Sequence, residues 1–297
     1  MQYLKPAQGF LGLSGDEPAP KSAKLPTVVV VPFGLEATVS FGRGTGNGPA
    51  AIIEASHQVE LFDDELWCEP IKRFHLKTAK PFPIRKKIAA ALGQIAQVVD
   101  GVLDAGAFPL VLGGEHSLTA GAIRPFARRH RDLVLLHFDA HADLRDGYDG
   151  EPYSHAAALR RCLDDETLTL ISLGIRNISA GEVPFLEANR HRIDVYWARD
   201  RADWDLGAIE KRLAGRPVYV TFDLDAFDSS LMPATGTPEP GGIFWDDALR
   251  VIRMACAAAD TVVGADITEL APAKPFHGCA FLAAKLAYKI LGYRFAG

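Results

Sequence analysis

Asp139, His141 and Asp143 stand two residues apart in His137-Phe138-Asp139-Ala140-His141-Ala142-Asp143. The apolar run Leu133-Val134-Leu135-Leu136 leads into them and reads as a buried parallel strand. Side chains alternate along a strand, so these three groups project to one side while the strand lasts. A second run, Val218-Tyr219-Val220-Thr221-Phe222, ends in Asp223-Leu224-Asp225, again with two acids at a spacing of two. Buried carboxylates must be paired, hydrogen-bonded or bound to metal. Two acidic pairs meeting from two strands repel each other unless cations sit between them. The expected chemistry is therefore metal-assisted.

The elements that must position these groups alternate. Strands are expected at 27–31, stopped by Pro32, and at 109–112, 133–139, 167–175, 193–197, 218–223 and 261–266. Helices are expected from Pro49 to about Ser56, then at 85–103, 117–129, 154–162, 180–188, 206–213, 246–259 and 279–291. Residues 57–82, with three prolines in or just after them, read as short extended pieces and loops, and 226–244 as a long loop. Strand–helix alternation means a mainly parallel sheet covered on both faces. In such sheets ligands sit beyond the carboxyl ends of the strands. His116, the 139–143 cluster, Asp223 with Asp225, and Glu269 each follow an expected strand, which places them on one edge. The glycine-rich stretch Gly42-Arg43-Gly44-Thr45-Gly46-Asn47-Gly48 fits neither phosphate-binding spacing.

With 297 residues and no linker, the chain reads as one α/β domain over 27–297, preceded by an irregular arm, 1–26, lying over the surface or a neighbouring subunit. A formal charge of -5 gives no support for nucleic-acid binding. No apolar run is long enough for a membrane span, and the N-terminus lacks the apolar core of a secretory signal. Cys68, Cys162, Cys256 and Cys279 form no CxxC pair and read as reduced thiols in a cytoplasmic protein.

Gly113-Gly114-Glu115-His116-Ser117, Phe138-Asp139-Ala140-His141-Ala142-Asp143 and Thr221-Phe222-Asp223-Leu224-Asp225-Ala226-Phe227-Asp228 resemble the three signature segments of the ureohydrolase (arginase/agmatinase) superfamily. Their order and spacing match, and the likeness runs from about Gly48 to the C-terminal helix. It implies a single three-layer α/β/α domain, a homo-oligomer (trimer or hexamer) and two Mn²⁺ per subunit. By position, His116, Asp139, Asp143 and Asp223 would hold one metal. Asp139, His141, Asp223 and Asp225 would hold the other. Four carboxylates and two imidazoles, with no thiolate, suit Mn²⁺ better than a structural zinc. A guanidinium is a poor electrophile, and a metal pair supplies hydroxide at neutral pH.

The same resemblance gives Asp225 the role of proton acceptor. It matches His155, in Tyr153-Ser154-His155-Ala156, to a proton shuttle beside the leaving amine, although relatives often carry glycine where Ala156 stands. Glu269, in Asp266-Ile267-Thr268-Glu269-Leu270, matches the glutamate that orients the guanidinium. Asp266 reads as a structural acid, His137 as a hydrogen-bonded core histidine, and His277 as a residue near enough to Glu269 to line the site. Ser229 stands where relatives usually have proline, and Glu115 where many have aspartate.

The segments 144–151 and 232–242 look most like agmatinase-type members. Asp146, Asp149 and Glu151 are candidates to face a substrate amine, and Arg145 to attract a carboxylate. The expected reaction is agmatine to putrescine and urea. Arginine, guanidinobutyrate, guanidinopropionate or guanidine remain as other substrates, and a non-catalytic metal-binding relative as a different class.

Overall fold

The structure, a computed structural model, describes residues 1–14 and 25–297; residues 15–24 of the expected arm lie outside the described residues. Among the described residues eight strands form one sheet: β1 (Thr27–Phe33), β2 (His75–Thr78), β3 (Ala107–Gly113), β4 (Val134–Phe138), β5 (Thr169–Ile175), β6 (Ile193–Trp197), β7 (Pro217–Asp223) and β8 (Thr261–Thr268). Their order is β2-β1-β3-β8-β7-β4-β5-β6, and every pairing between named strands is parallel. The last strand thus lies between β3 and β7 and joins the two halves of the sheet.

Nine helices cover it: α1 (Gly48–Ser56), α2 (Ile88–Asp104), α3 (Thr119–Ala122), α4 (Arg124–Arg129), α5 (Ala158–Cys162), α6 (Val183–Ala188), α7 (Leu206–Leu213), α8 (Trp245–Ala258) and α9 (His277–Phe295), counted among the described residues. Alternation along the strands divides the core. Val28 and Val30 face the side covered by α1, α7, α8 and α9, while Val29, Val31 and Phe33 face α2 to α6. Each such fully buried aliphatic side chain contributes about 1.5–3 kcal/mol of transfer free energy. The result is the expected α/β/α arrangement.

Several boundaries differ from expectation, two of them at prolines. Pro32 does not stop β1, which continues to Phe33. Val30 O accepts Ala79 N and Phe33 O accepts Gly114 N, so by alternation Pro32 turns its nitrogen toward β2's side, where strand pairing has ended at Thr78. Its missing N–H costs no ladder bond there. The 117–129 helix is broken into α3 and α4 because Pro125 cannot donate within a continuous helix. Helix α9 starts at His277 and runs to Phe295, beyond the expected 279–291.

The first fourteen residues pack on this chain's own sheet edge: Tyr3 bridges Ala79, and Phe10 and Leu11 are buried. No helix among the described residues is long and apolar enough to cross a membrane.

Candidate metal centre and cleft

Four adjacent strands, β3-β8-β7-β4, deliver the chemistry-bearing residues to their carboxyl ends. His116 opens the turn after β3, and Asp139 follows β4 by one residue. Asp223 ends β7, Asp225 lies in the tight turn Leu224–Ala226, and Glu269 follows β8. Asp143 and Glu269 hold left-handed backbone conformations, φ 52° and 66°. Non-glycine residues rarely adopt these, and such strain gathers at functional sites. All of these residues are at most 7 % exposed.

The expected ligands converge. Nδ1 of His116 lies 3.1 Å from Asp139 Oδ2, 3.0 Å from Asp143 Oδ2 and 3.4 Å from Asp223 Oδ2. Nδ1 of His141 lies 3.1 Å from Asp225 Oδ2 and 3.4 Å from Asp139 Oδ1. Backbone N–H groups fix the acids: His141 N donates to Asp139, Ala140 N to Asp225 and Asp225 N to Asp223. Asp139, His141 and Asp225 form one group able to hold an ion; His116, His137 and Asp139 form another. His137 keeps both ring nitrogens engaged, with Asp139 Oδ2 and Ser172 Oγ at 2.9 Å each, so it orients Asp139 as a hydrogen-bonded histidine. Asp266 takes hydroxyls from Thr221, Tyr219 and Thr119, which is the structural role expected of it.

The electrostatics show what this cluster lacks. Burial, with the charges of Asp225, Asp139 and Glu269 beside it, pushes Asp223 well above the carboxylate range. Burial and Asp139 push Asp143 up to about 7. Burial opposes the charge on Asp139, but contacts with His116, His137 and His141 outweigh it and hold that carboxyl well below its usual value. Burial likewise opposes charge on His141, which Asp225 and Asp139 nevertheless push up to about 12. Among the described residues no Lys or Arg nitrogen comes within 4.0 Å of these four aspartates.

Nδ1 of His116 is buried and makes no hydrogen bond, although carboxylate oxygens surround it. A shared cation resolves that arrangement, and the oxygen-rich donor set fits a hard divalent metal.

A cleft of about 260 Å³ opens over this floor. His116, His141, Asp143, Asp223, Asp225 and Glu269 line it, together with His155 from the turn before α5. Glu269 Oε1 accepts His116 N at 2.7 Å, which ties one carboxylate oxygen to the ligand loop.

The rim differs from expectation. Asp146 is held by Arg160 and Arg161 and does not line the cleft. Asp149 and Glu151 belong to a turn closed by Tyr148 and Glu151 and are also absent from the lining. His277 is exposed and lies outside it. Arg145 does line the cleft, over the Tyr148 ring at 5.1 Å and 4.0 Å from Glu182. The lining carboxylates beyond the floor are instead Glu239 and the buried Glu182.

Arg176 was not singled out by any motif, yet it fastens the site loops together. Its guanidinium donates to the carbonyls of Gly174, Asp225, Ala226, Phe227, Glu239 and Pro240. The Gly42–Gly48 stretch binds the chain's own anion: Glu36 accepts Gly44 N and Gly46 N.

Comparison with known proteins agrees with this geometry. The sequence profile described as Arginase family matches residues 26–292. An N(1)-aminopropylagmatine ureohydrolase of Synechocystis sp. is 37 % identical over 275 residues, covering 90 % of this chain and 88 % of that protein. An agmatinase of Bacillus anthracis is 36 % identical, covering 82 % and 83 %. The crystal structure of the agmatine ureohydrolase of Thermoplasma volcanium superposes with a TM-score of 0.81 at 28 % identity, covering 94 % of this chain and 93 % of that one.

Proposed function

The chain belongs to the arginase family and hydrolyses guanidino C–N bonds, and we propose that its substrate is an amine-tailed guanidine, agmatine, split into putrescine and urea at a two-manganese centre. The observation that carries the reading is the buried aspartate–histidine cluster with Glu269 beside it on one cleft floor. His116, Asp139, Asp143 and Asp223 would hold one ion, and Asp139, His141, Asp223 and Asp225 the other. Bound there, such ions lower the pKa of water to near neutral.

The chain's own groups do the rest. Glu269, pushed well above the usual carboxylate range by burial, gains its charge when a guanidinium arrives and accepts its N–H groups. That fixes the plane of the electrophile over the floor. Asp225 accepts a proton from the attacking water. His155 delivers a proton to the departing nitrogen.

Glu239 puts a carboxylate on the rim, and Arg145 is already engaged with Tyr148 and with the buried Glu182. Both facts favour an amine tail over a carboxylate tail. A second reading, aminopropylagmatine, is favoured by the Synechocystis relative. The protein is further proposed to work in the cytoplasm, with its four cysteines free, as a homo-oligomer.

The test is urea release by Mn²⁺-loaded protein from agmatine, aminopropylagmatine, arginine, guanidinobutyrate, guanidinopropionate and guanidine. The expected result is a kcat/KM at least tenfold higher for the two amine-tailed compounds. Preference for a guanidino acid would overturn the rim assignment. No urea from any of them would favour a non-catalytic metal-binding role.

A further inference from the structure

We propose that Thr38 is a positioning residue for His155: its hydroxyl fixes the imidazole with a proton on Nδ1 and turns the Nε2 lone pair toward the cleft. The inference rests on the reading above, in which His155 handles the leaving-group proton.

The argument is a hydrogen count. Glu115 is fully buried between the first motif and the 36–38 loop. One of its oxygens, Oε2, accepts the backbone N–H groups of Ala37 and Thr38; the other, Oε1, accepts Ser117 Oγ at 2.6 Å and Thr38 Oγ1 at 2.8 Å. With four donors aimed at its two oxygens, Glu115 is the acceptor here, and the single hydroxyl hydrogen of Thr38 goes to it. The hydroxyl is left with two lone pairs. His155 N, at 3.0 Å, donates to one. His155 Nδ1 stands 3.1 Å away, and we assign it as the donor to the other; Ser154 Oγ, at 3.4 Å, is the longer contact of the same nitrogen. An unprotonated Nδ1 facing Thr38 would set a lone pair against a lone pair.

The neutral ring is therefore the Nδ1–H tautomer, the opposite of the form that imidazole prefers in water. Nε2 has no protein partner among the described residues, and His155 lines the cleft. Tyr148 packs edge-on against the ring at 6.2 Å, limiting its rotation from the other side. Burial also holds His155 below its usual pKa, so it waits as a base.

This orders the proton transfers. Nε2 takes up one proton of the attacking water as the C–O bond forms, and the protonated ring gives it to the departing nitrogen as the C–N bond breaks. Asp225 accepts the second water proton, so that urea is left neutral. The bonding pair stays on the departing nitrogen, which leaves as a neutral amine, and the ring returns to the Nδ1–H form.

The experiment is a double-mutant cycle on the Mn²⁺-loaded protein, using Thr38→Val, His155→Ala and the pair. Thr38→Val is expected to lower kcat about tenfold or more, with KM and bound manganese changed less than about twofold. In the His155→Ala background it should cost nothing further, and Thr38→Ser should restore kcat to within about threefold. Equal losses in both backgrounds would show a structural role and overturn the proposal, as would an unchanged kcat in Thr38→Val.

Should Thr38→Val not fold, Thr38→Cys serves in the same cycle, with the same outcomes. A second readout needs no turnover: ring ¹⁵N shifts of histidine-labelled protein without added manganese. An Nδ1–H pattern for one histidine, lost in Thr38→Val or Thr38→Cys and kept in Thr38→Ser, supports the proposal; an Nε2–H pattern for His155 overturns it. If no guanidino compound is turned over, the function reading fails while this measurement still decides the tautomer.

Discussion

Two regions of this molecule bury acidic groups, and they solve the problem in opposite ways. Under α9, Asp63 is 1 % exposed and meets Lys289 at 2.8 Å, with Glu65 at 3.2 Å from the same ammonium. The cation is built into the chain, and Asp63 also accepts Glu65 N and Leu66 N. At the carboxyl ends of β3, β7 and β4, four aspartates meet two histidines and no lysine or arginine among the described residues. Burial still works against Asp63, but Lys289 outweighs it and holds the carboxyl below its usual range; Asp143 and Asp223 are pushed up. The first cluster is complete as folded. The second, on the function proposed above, is completed by cations from solution.

The largest effect expected from breaking the second cluster is on turnover. Asp225→Asn should keep the fold but lower kcat by about 10²–10⁴, the range for loss of a positioned base. Urea release alongside circular dichroism checks it, and near-normal activity would remove Asp225 from the mechanism.

Breaking the first cluster should cost stability instead. Lys289→Met leaves a buried carboxylate unpaired and should destabilise by about 3 kcal/mol at pH 7. Asp63 has a depressed folded pKa, so its contribution is present above its ordinary value of 3.8 and is lost as pH falls through the lower, folded one. The gap between wild type and Lys289→Met should therefore narrow below pH 3.8, in urea melts across pH, and be insensitive to Mn²⁺.

The smallest effect is the sharpest in sign. Asp143→Asn removes a like charge from the metal-free site and should raise its Tm by about 2–4 °C, the shift for about 1 kcal/mol in a mid-sized domain. The same change should shrink the Tm gain on adding Mn²⁺. A lower Tm without metal would show that Asp143 is already satisfied there.

The comparison also separates what sequence reveals from what it hides. The aspartate spacings at 139–143 and 223–225 are local, so strand alternation alone puts each pair on one side. Alternating strands and helices likewise made the layered sheet legible. Asp146, Asp149 and Glu151 looked equally available, but Arg160 and Arg161 hold the first and a tight turn removes the others. Those partners come from tertiary folding, which no loop composition encodes. Thr38 meets Glu115 across 77 residues, and Arg176 reaches Asp225 across 49, so neither had a motif to mark it. Glu115 in the first signature segment was the one available hint, since it stands beside a histidine expected to hold metal.

The position of β8 has a consequence for how the protein is made. His116 and Glu269, hydrogen-bonded in the finished site, lie 153 residues apart, about 8–30 s of ribosomal elongation. Until Thr261–Thr268 emerges, the sheet exists as two halves, with His116 on one and the paired aspartates on the other. The proposed ligands therefore come together only when β8 bridges the two halves, so the contacts that close the sheet are the ones that assemble the site.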